Sequence, residues 1–227
     1  MIAKIIQQLS YWPTYLVLKI FFKYEIEGQE NLNGLGNKAV IFASNHASYL
    51  DGPICAATMP RGSWVPKNFF PIRFTAFKKF FDVRTNDFPF PMSYLTTWYV
   101  KYNGSIPVEK GTGDLNIALA QPIKELKENK IKLWIYPEGG LTKDGKLQQG
   151  KRGITFLHQQ SGAVIVPVGI AGNFGILHPK NIFKFLLGKK KLKIKIGKPI
   201  YSLGNCSLEE GSEKIMQEIG KLIDNVQ

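Results

Sequence analysis

The stretch Ala39-Val40-Ile41-Phe42-Ala43-Ser44-Asn45-His46-Ala47-Ser48-Tyr49-Leu50-Asp51-Gly52 sets the reading of this chain. A short apolar run, 39–44, ends in a polar loop, which is the pattern of a buried strand. His46 and Asp51 stand five residues apart. At about 3.6 residues per turn that spacing does not put them on one helix face. With His46 on the strand-exit loop and Asp51 opening a helix, the carboxylate can reach back to the imidazole. It would fix the ring tautomer and raise the basicity of the other nitrogen. That nitrogen could then take a proton from a hydroxyl. The same residues also fit a plainer reading, in which Ser48 and Asp51 cap the helix holding Ile54 to Met59 and His46 is a polar loop residue.

Four further apolar runs read as strands: 104–108, 132–136, 163–169 and 192–197. Helical patterns separate several of them. Over 114–128, Asp114 can cap while Leu115, Ala118, Leu119, Ile123 and Leu126 share a face, with a bend expected at Pro122. The pattern over 151–160 has Gly162 as its stop. Ser207 with Glu210 three residues on forms a capping box ahead of the stripe Ile215, Ile219, Leu222 and Ile223. Strands alternating with helices predict an α/β fold, a mixed and mainly parallel sheet flanked by helices. Lys193 and Lys195 alternate with Ile194 and Ile196. This is the pattern of a protected edge strand, and equally of a basic face for phosphate-bearing surfaces.

Residues 1–24 form an amphipathic N-terminal segment, ahead of a single domain over 25–227. Ile2, Ile5, Ile6, Leu9, Leu16, Val17, Ile20 and Phe21 recur near helical spacing, and Pro13 predicts a kink or two short helices. The segment is too short and too polar for a simple span, which needs about 20 predominantly apolar residues. It suits either the membrane interface or a place against the protein's own core. Residues 67–82 hold six Phe among Lys67, Arg73, Lys78 and Lys79, and 88–102 add further aromatics. This density beside cations suits a membrane surface or single-stranded nucleic acid, and the membrane surface is the simpler reading for both segments.

The chain has 227 residues, 44% hydrophobic, with a formal charge of +13. That hydrophobicity excludes a disordered chain. The charge implies an anionic partner: nucleic acid, anionic lipid or an acidic protein. Arg is scarce beside Lys, which counts against sequence-specific DNA reading. Cys55 and Cys206 have no metal-site spacing and read as free thiols. His158 and His178 lack a ligand partner at metal spacing. The sequence holds no G-x-S-x-G elbow, P-loop or dinucleotide fingerprint.

Two more stretches carry chemistry. Tyr136-Pro137-Glu138-Gly139-Gly140-Leu141-Thr142 follows a strand, and its glycines let backbone N–H groups approach an anion. Gly104-Ser105-Ile106-Pro107-Val108-Glu109-Lys110 leads a strand to a cation and then to a helix start, both attractive to phosphate.

In their order, His-x4-Asp, Gly-x-Ile-Pro-Val, Pro-Glu-Gly and Val-Pro-Val, these motifs resemble the glycerolipid acyltransferases, the 1-acylglycerol-3-phosphate acyltransferase family. The resemblance runs from about Asn45 to Val168. Two positions depart from the family pattern: Lys110 stands where the second motif usually ends in Arg, and Leu141 replaces an arginine of the third. Family arginines there are associated with the acceptor's phosphate, and Lys lacks their bidentate fork. Lys143, Lys151 or Arg152 are the candidates to compensate.

The resemblance implies an acyltransferase domain over 25–227, with His46 as general base and Asp51 orienting it. Substrate-binding residues would be Asn45, Gly104, Lys110, Glu138, Gly139, Gly140, Thr142, Lys151, Arg152 and Pro167. Gly139 or Gly140 would supply an oxyanion donor. The acyl thioester of coenzyme A or of acyl carrier protein would be a substrate, with no metal and no bound cofactor. The acceptor would be a lysophospholipid. The partner surface would be an anionic membrane, met peripherally or monotopically on its cytoplasmic face, and no nucleic acid is expected.

Overall fold

The computed structural model describes residues 2–60, 69–109, 113–176 and 190–224. Seven strands form one sheet: β1 (Phe22–Glu27), β2 (Val40–Ser44), β3 (Ile72–Phe77), β4 (Ile106–Val108), β5 (Lys132–Ile135), β6 (Val164–Ala171) and β7 (Lys190–Ile196). Their order across the sheet is β1-β7-β6-β2-β5-β3-β4. Every pairing is parallel except β6 with β7, which is antiparallel. The expected mixed, mainly parallel sheet is therefore present, and all five expected strands are in it.

Both faces of the sheet are covered, as parallel sheets require. Alternation along β2 distributes the core. Val40 and Phe42 point to one side, with Trp134 of β5 and Val166 of β6. The helices α1 (Ile2–Phe21) and α2 (Asp51–Ala57) cover that side through Tyr11, Leu18 and Ile54. Ile41 and Ala43 point to the other side, with Leu133 and Ile165. There α5 (Ala120–Asn129), α6 (Gly153–Ser161) and α7 (Leu208–Asp224) contribute Leu126, Leu157, Ile215 and Ile219. The helix α3 (Met92–Tyr102) precedes β4, and the short α4 (Leu115–Ala118) precedes α5.

Four expectations need correction. Of the two alternatives at Pro13, two short helices are excluded, because α1 is one helix of 20 residues with Pro13 inside it. Pro13 is exposed and lies beside exposed Leu9 and Trp12, where solvent can take over the missing bond. The helix pattern over 114–128 breaks at Leu119 (φ −115°, ψ 10°), not at Pro122, which sits in the first turn of α5. There a missing N–H is tolerated. β7 is not an edge strand. β1 lies outside it, and Glu27 takes Lys193 at 2.6 Å and Lys195 at 3.4 Å, so the lysines alternate to meet a neighbouring strand. Finally, much of the aromatic run 67–82 is core: Phe69, Phe70, Ile72 and Phe74 are buried, the last two in β3.

The capping box is as expected. Ser207 N–H donates to Glu210 at 2.8 Å, and Glu210 N–H donates to the Ser207 hydroxyl at 3.2 Å. Gly162 ends α6 in the left-handed region at φ 66°.

The helix α1 is amphipathic the wrong way round for a water-facing helix. Ile2, Ile5, Leu9, Trp12, Leu16, Val17 and Ile20 are exposed. Gln7 is buried on the inner side: its amide N–H donates to Ile72 O at 2.6 Å and Asn103 O at 2.7 Å, and its carbonyl accepts Ile72 N–H at 2.9 Å. One side chain thus ties α1 to the start of β3 and the end of α3. The neighbouring α3 also exposes Tyr94, Leu95, Trp98 and Tyr102. No helix among the described residues is long and apolar enough to cross a membrane.

Candidate active site

The site lies at the carboxyl ends of β2, β5 and β6, the central strands of the sheet, where open α/β sheets commonly place ligands. β2 delivers Asn45 and His46, β5 runs into Tyr136 and Glu138, and β6 into Asn173. Asn45 extends the β2–β6 pairing by one step: its side-chain amide donates to Ile170 O and its carbonyl accepts Ile170 N–H, both at 2.9 Å. This fixes the point at which the chain leaves the sheet.

Asp51 is the first residue of α2 and is fully buried. Its Oδ2 lies 2.9 Å from His46 Nδ1 and accepts the backbone N–H of Ala47 at 2.8 Å and of Ser48 at 2.9 Å. Its Oδ1 accepts from the amide of Asn173 at 2.8 Å. The carboxylate thus stands at a helix start with four donors around it. Its bond to Nδ1 places the ring proton there and leaves Nε2 as the acceptor. The expected helix cap is not formed: α2 has Leu50 at its N-cap with no side-chain bond there, and the Asp51 oxygens serve the preceding loop, the imidazole and Asn173 instead.

Tyr136 packs flat on the imidazole, with ring centroids 3.9 Å apart and planes 11° apart. Its hydroxyl is 3.8 Å from the Cys55 thiol. Burial pushes the Tyr136 hydroxyl well above its ordinary range, and burial, then Asp51, does the same to the Cys55 thiol. Both stay neutral, so neither adds a charge beside His46.

Glu138 is buried and joins two loops. One oxygen accepts His46 N–H at 2.7 Å and the other Gln148 N–H at 3.0 Å. Burial lifts its carboxyl, and the two amides pull it partly back. Thr142 closes the same connection, its N–H donating to His46 O at 2.9 Å. Asn45, His46, Glu138 and Thr142 all line one cavity of about 290 Å³.

The other expected residues lie elsewhere. Gly139, at φ 70°, gives its N–H to Tyr136 O at 3.0 Å, so its amide is engaged in the turn, whereas Gly140 N–H makes no backbone hydrogen bond among the described residues. The Lys151 side chain lies over Gly139, where a Cβ would come within 2.8 Å of its Nζ. Arg152 is exposed and reaches Glu209 of α7 at 3.4 Å. Gly104, at φ 85°, lets Arg73 and Ala3 pack against the backbone; a Cβ there would stand 2.2 Å from the guanidinium. Pro167 is buried inside β6, its carbonyl accepting Gly197 N–H at 2.8 Å. Lys110 lies outside the described residues.

Tyr136 and Asn173 were not found by sequence reasoning. Tyr136 adjoins the Pro-Glu-Gly motif and is visible as a neighbour. Asn173 is 122 residues from Asp51, and its only signal is its place just past β6.

Residues 23–171 match the model of the Acyltransferase family, and the chain belongs to that family. Over 96% of its length it is 26% identical to the chloroplastic 1-acyl-sn-glycerol-3-phosphate acyltransferase LPAT1 of Arabidopsis thaliana, of which it spans 53%. It is 27% identical to the 1-acyl-sn-glycerol-3-phosphate acyltransferase of Saccharomyces cerevisiae, over 94% of this chain and 66% of that protein. The chain thus spans between half and two thirds of the length of these relatives. Its fold is that of the 1-acyl-sn-glycerophosphate acyltransferase PlsC from Thermotoga maritima, with a TM-score of 0.68 at 20% identity over 99% of this chain and 80% of that one. An acyltransferase of this family takes an acyl donor and a lipid acceptor.

Proposed function

We propose that the protein transfers a fatty acyl group from the thioester of coenzyme A or acyl carrier protein to the free hydroxyl of a lysophospholipid. The favoured acceptor is 1-acylglycerol-3-phosphate, giving phosphatidic acid. The observation that carries this reading is His46, held by Asp51 through Nδ1 and lining an open cavity. Nε2 takes the hydroxyl proton as the oxygen attacks the thioester carbonyl. The C–O bond forms, the C–S bond breaks, and the imidazolium returns its proton to the departing thiolate. Gly140, whose N–H makes no backbone hydrogen bond among the described residues, is the proposed donor to the oxyanion. The names of the curated relatives support the acceptor.

A second acceptor class has one observation in its favour. Leu141 supplies no charge where the family pattern has arginine, which fits a lyso-lipid other than a simple phosphomonoester.

The exposed apolar faces of α1 and α3, on a chain of net charge +13, support peripheral contact with an anionic membrane. α1 serves that reading as the docking segment and the sheet that opens with β1 as the acyltransferase domain, so the division falls at the end of α1 and not at residue 24, inside β1.

The test is acyl transfer from radiolabelled acyl-CoA to a panel of lyso-acceptors. Wild-type protein should form diacyl product, and folded His46→Ala should form none. Turnover retained by His46→Ala would sink the mechanism.

A further inference from the structure

The cavity beside His46 carries positive charge that the catalytic pair does not use. Lys146 lines it from the loop after β5, and Lys191 and Lys193 line it from β7. None of the three belongs to the motifs quoted above. Glu138 also lines the cavity, but both of its oxygens are taken by backbone N–H groups. Other carboxylates also lie near these lysines: Asp144 accepts the Lys146 backbone N–H at 3.0 Å, and two come from β1. Glu27 meets Lys193 at 2.6 Å, and Glu25 stands 4.0 Å from Lys191. Lys146 forms no ion pair among the described residues. Phe174 closes one wall. Its ring lies over Gly145, where φ is 81° and a Cβ would come within 2.9 Å.

Lys191 and Lys193 each already lie beside a β1 carboxylate, so Lys146, in no ion pair among the described residues, is the cation of the three most open to an added anion. The volume of about 290 Å³ is at the small end of ligand pockets, enough for a phosphate ester and its first carbons.

We propose that this cavity binds a phosphate ester of a substrate through Lys146, Lys191 and Lys193, beside His46. The inference rests on the acyl-transfer reading and adds the position of the anionic group. It also gives the charge missing at Leu141 a different source, on the β7 side of the base. The same chemistry is offered by the phosphates of coenzyme A and by the phosphate of a glycerol-based acceptor.

Titration calorimetry on the full chain separates them, with coenzyme A and glycerol 3-phosphate as probes. At least one probe should bind wild-type protein, more weakly as salt rises. Lys146→Glu should weaken that binding about tenfold or more, and Lys146→Ala should weaken it less. A loss confined to coenzyme A assigns the cavity to the donor, and a loss confined to glycerol 3-phosphate assigns it to the acceptor. Failure of both probes to bind wild-type protein, or unchanged binding in Lys146→Glu, overturns the proposal. Turnover is measured separately. Active protein with unchanged binding in Lys146→Glu overturns this inference alone. The expected binding pattern without turnover overturns the acyl-transfer reading alone.

Discussion

Replacing Gln7 with Leu keeps the approximate volume of a buried side chain and removes its hydrogen bonding. In the native fold the Gln7 amide serves three backbone groups: Ile72 N–H, Ile72 O and Asn103 O. A buried polar group left without a partner costs about 1–3 kcal/mol. The two carbonyls keep a second lone pair, so the Ile72 N–H sets the floor. The expected loss is about 2–5 kcal/mol. For a domain of this size each kcal/mol moves Tm by about 2–4 °C, so Gln7→Leu should melt roughly 5–15 °C lower. The assay is differential scanning calorimetry, paired with limited proteolysis of α1. The matched control is Leu9→Gln, two residues away and 72% exposed. It should melt within about 2 °C of wild type, as surface changes do. It should also bind anionic vesicles about tenfold more weakly, because burying a Leu in the interface is worth about 1.5–3 kcal/mol. Wild-type melting of Gln7→Leu, or wild-type vesicle binding of Leu9→Gln, would refute the assignment of one inner and one outer role to this helix.

Two further outcomes follow from the site and the sheet. Asp51→Asn should fold, because the helix start survives, but lose about 10²–10⁴ in kcat by weakening the base, while Asn173→Ala should lose less; steady-state rates on the two variants decide the order. Burial pulls the Lys132 ammonium from its ordinary range down to about 8. The native state therefore sheds this proton before the unfolded chain does, and stability gained from Lys132 rises as pH climbs from about 8 toward the unfolded value of about 10.4. Urea unfolding of wild type and Lys132→Met at pH 7.5 and pH 10 should show that rise in wild type only; parallel behaviour would count against it.

The strands most legible in the sequence were those with uninterrupted apolar runs. Residues 39–44 and 163–169 lie in the middle of the sheet, buried on both faces, and read as such. β3 was obscured because Phe69, Phe70, Phe77, Phe80 and Phe81 surround the alternation Ile72-Arg73-Phe74, so its period of two was lost in a general aromatic density. β1 was hidden because it follows α1 without a break, Phe21 ending the helix and Phe22 starting the strand. The alternation in β7 was legible, but a charged row looks alike whether it meets water or the carboxylates of another strand. At the site, His46 and Asp51 are close in sequence, and local spacing could suggest their contact. Asn173 reaches Asp51 only because β6 lies beside β2, a pairing that no local pattern contains.

The stacking of Tyr136 on His46 has a consequence for timing. An imidazole free to turn about its side-chain bonds would have to be caught in one orientation before every proton transfer. Here the ring is held edge-on by Asp51 and flat by Tyr136, so that restriction is imposed once, when the sheet closes around Tyr136. On the proposed mechanism, the folded chain would meet each new substrate with its proton acceptor already aimed. Loosening the Tyr136 ring would appear as slower chemistry at saturating substrate rather than as weaker substrate capture.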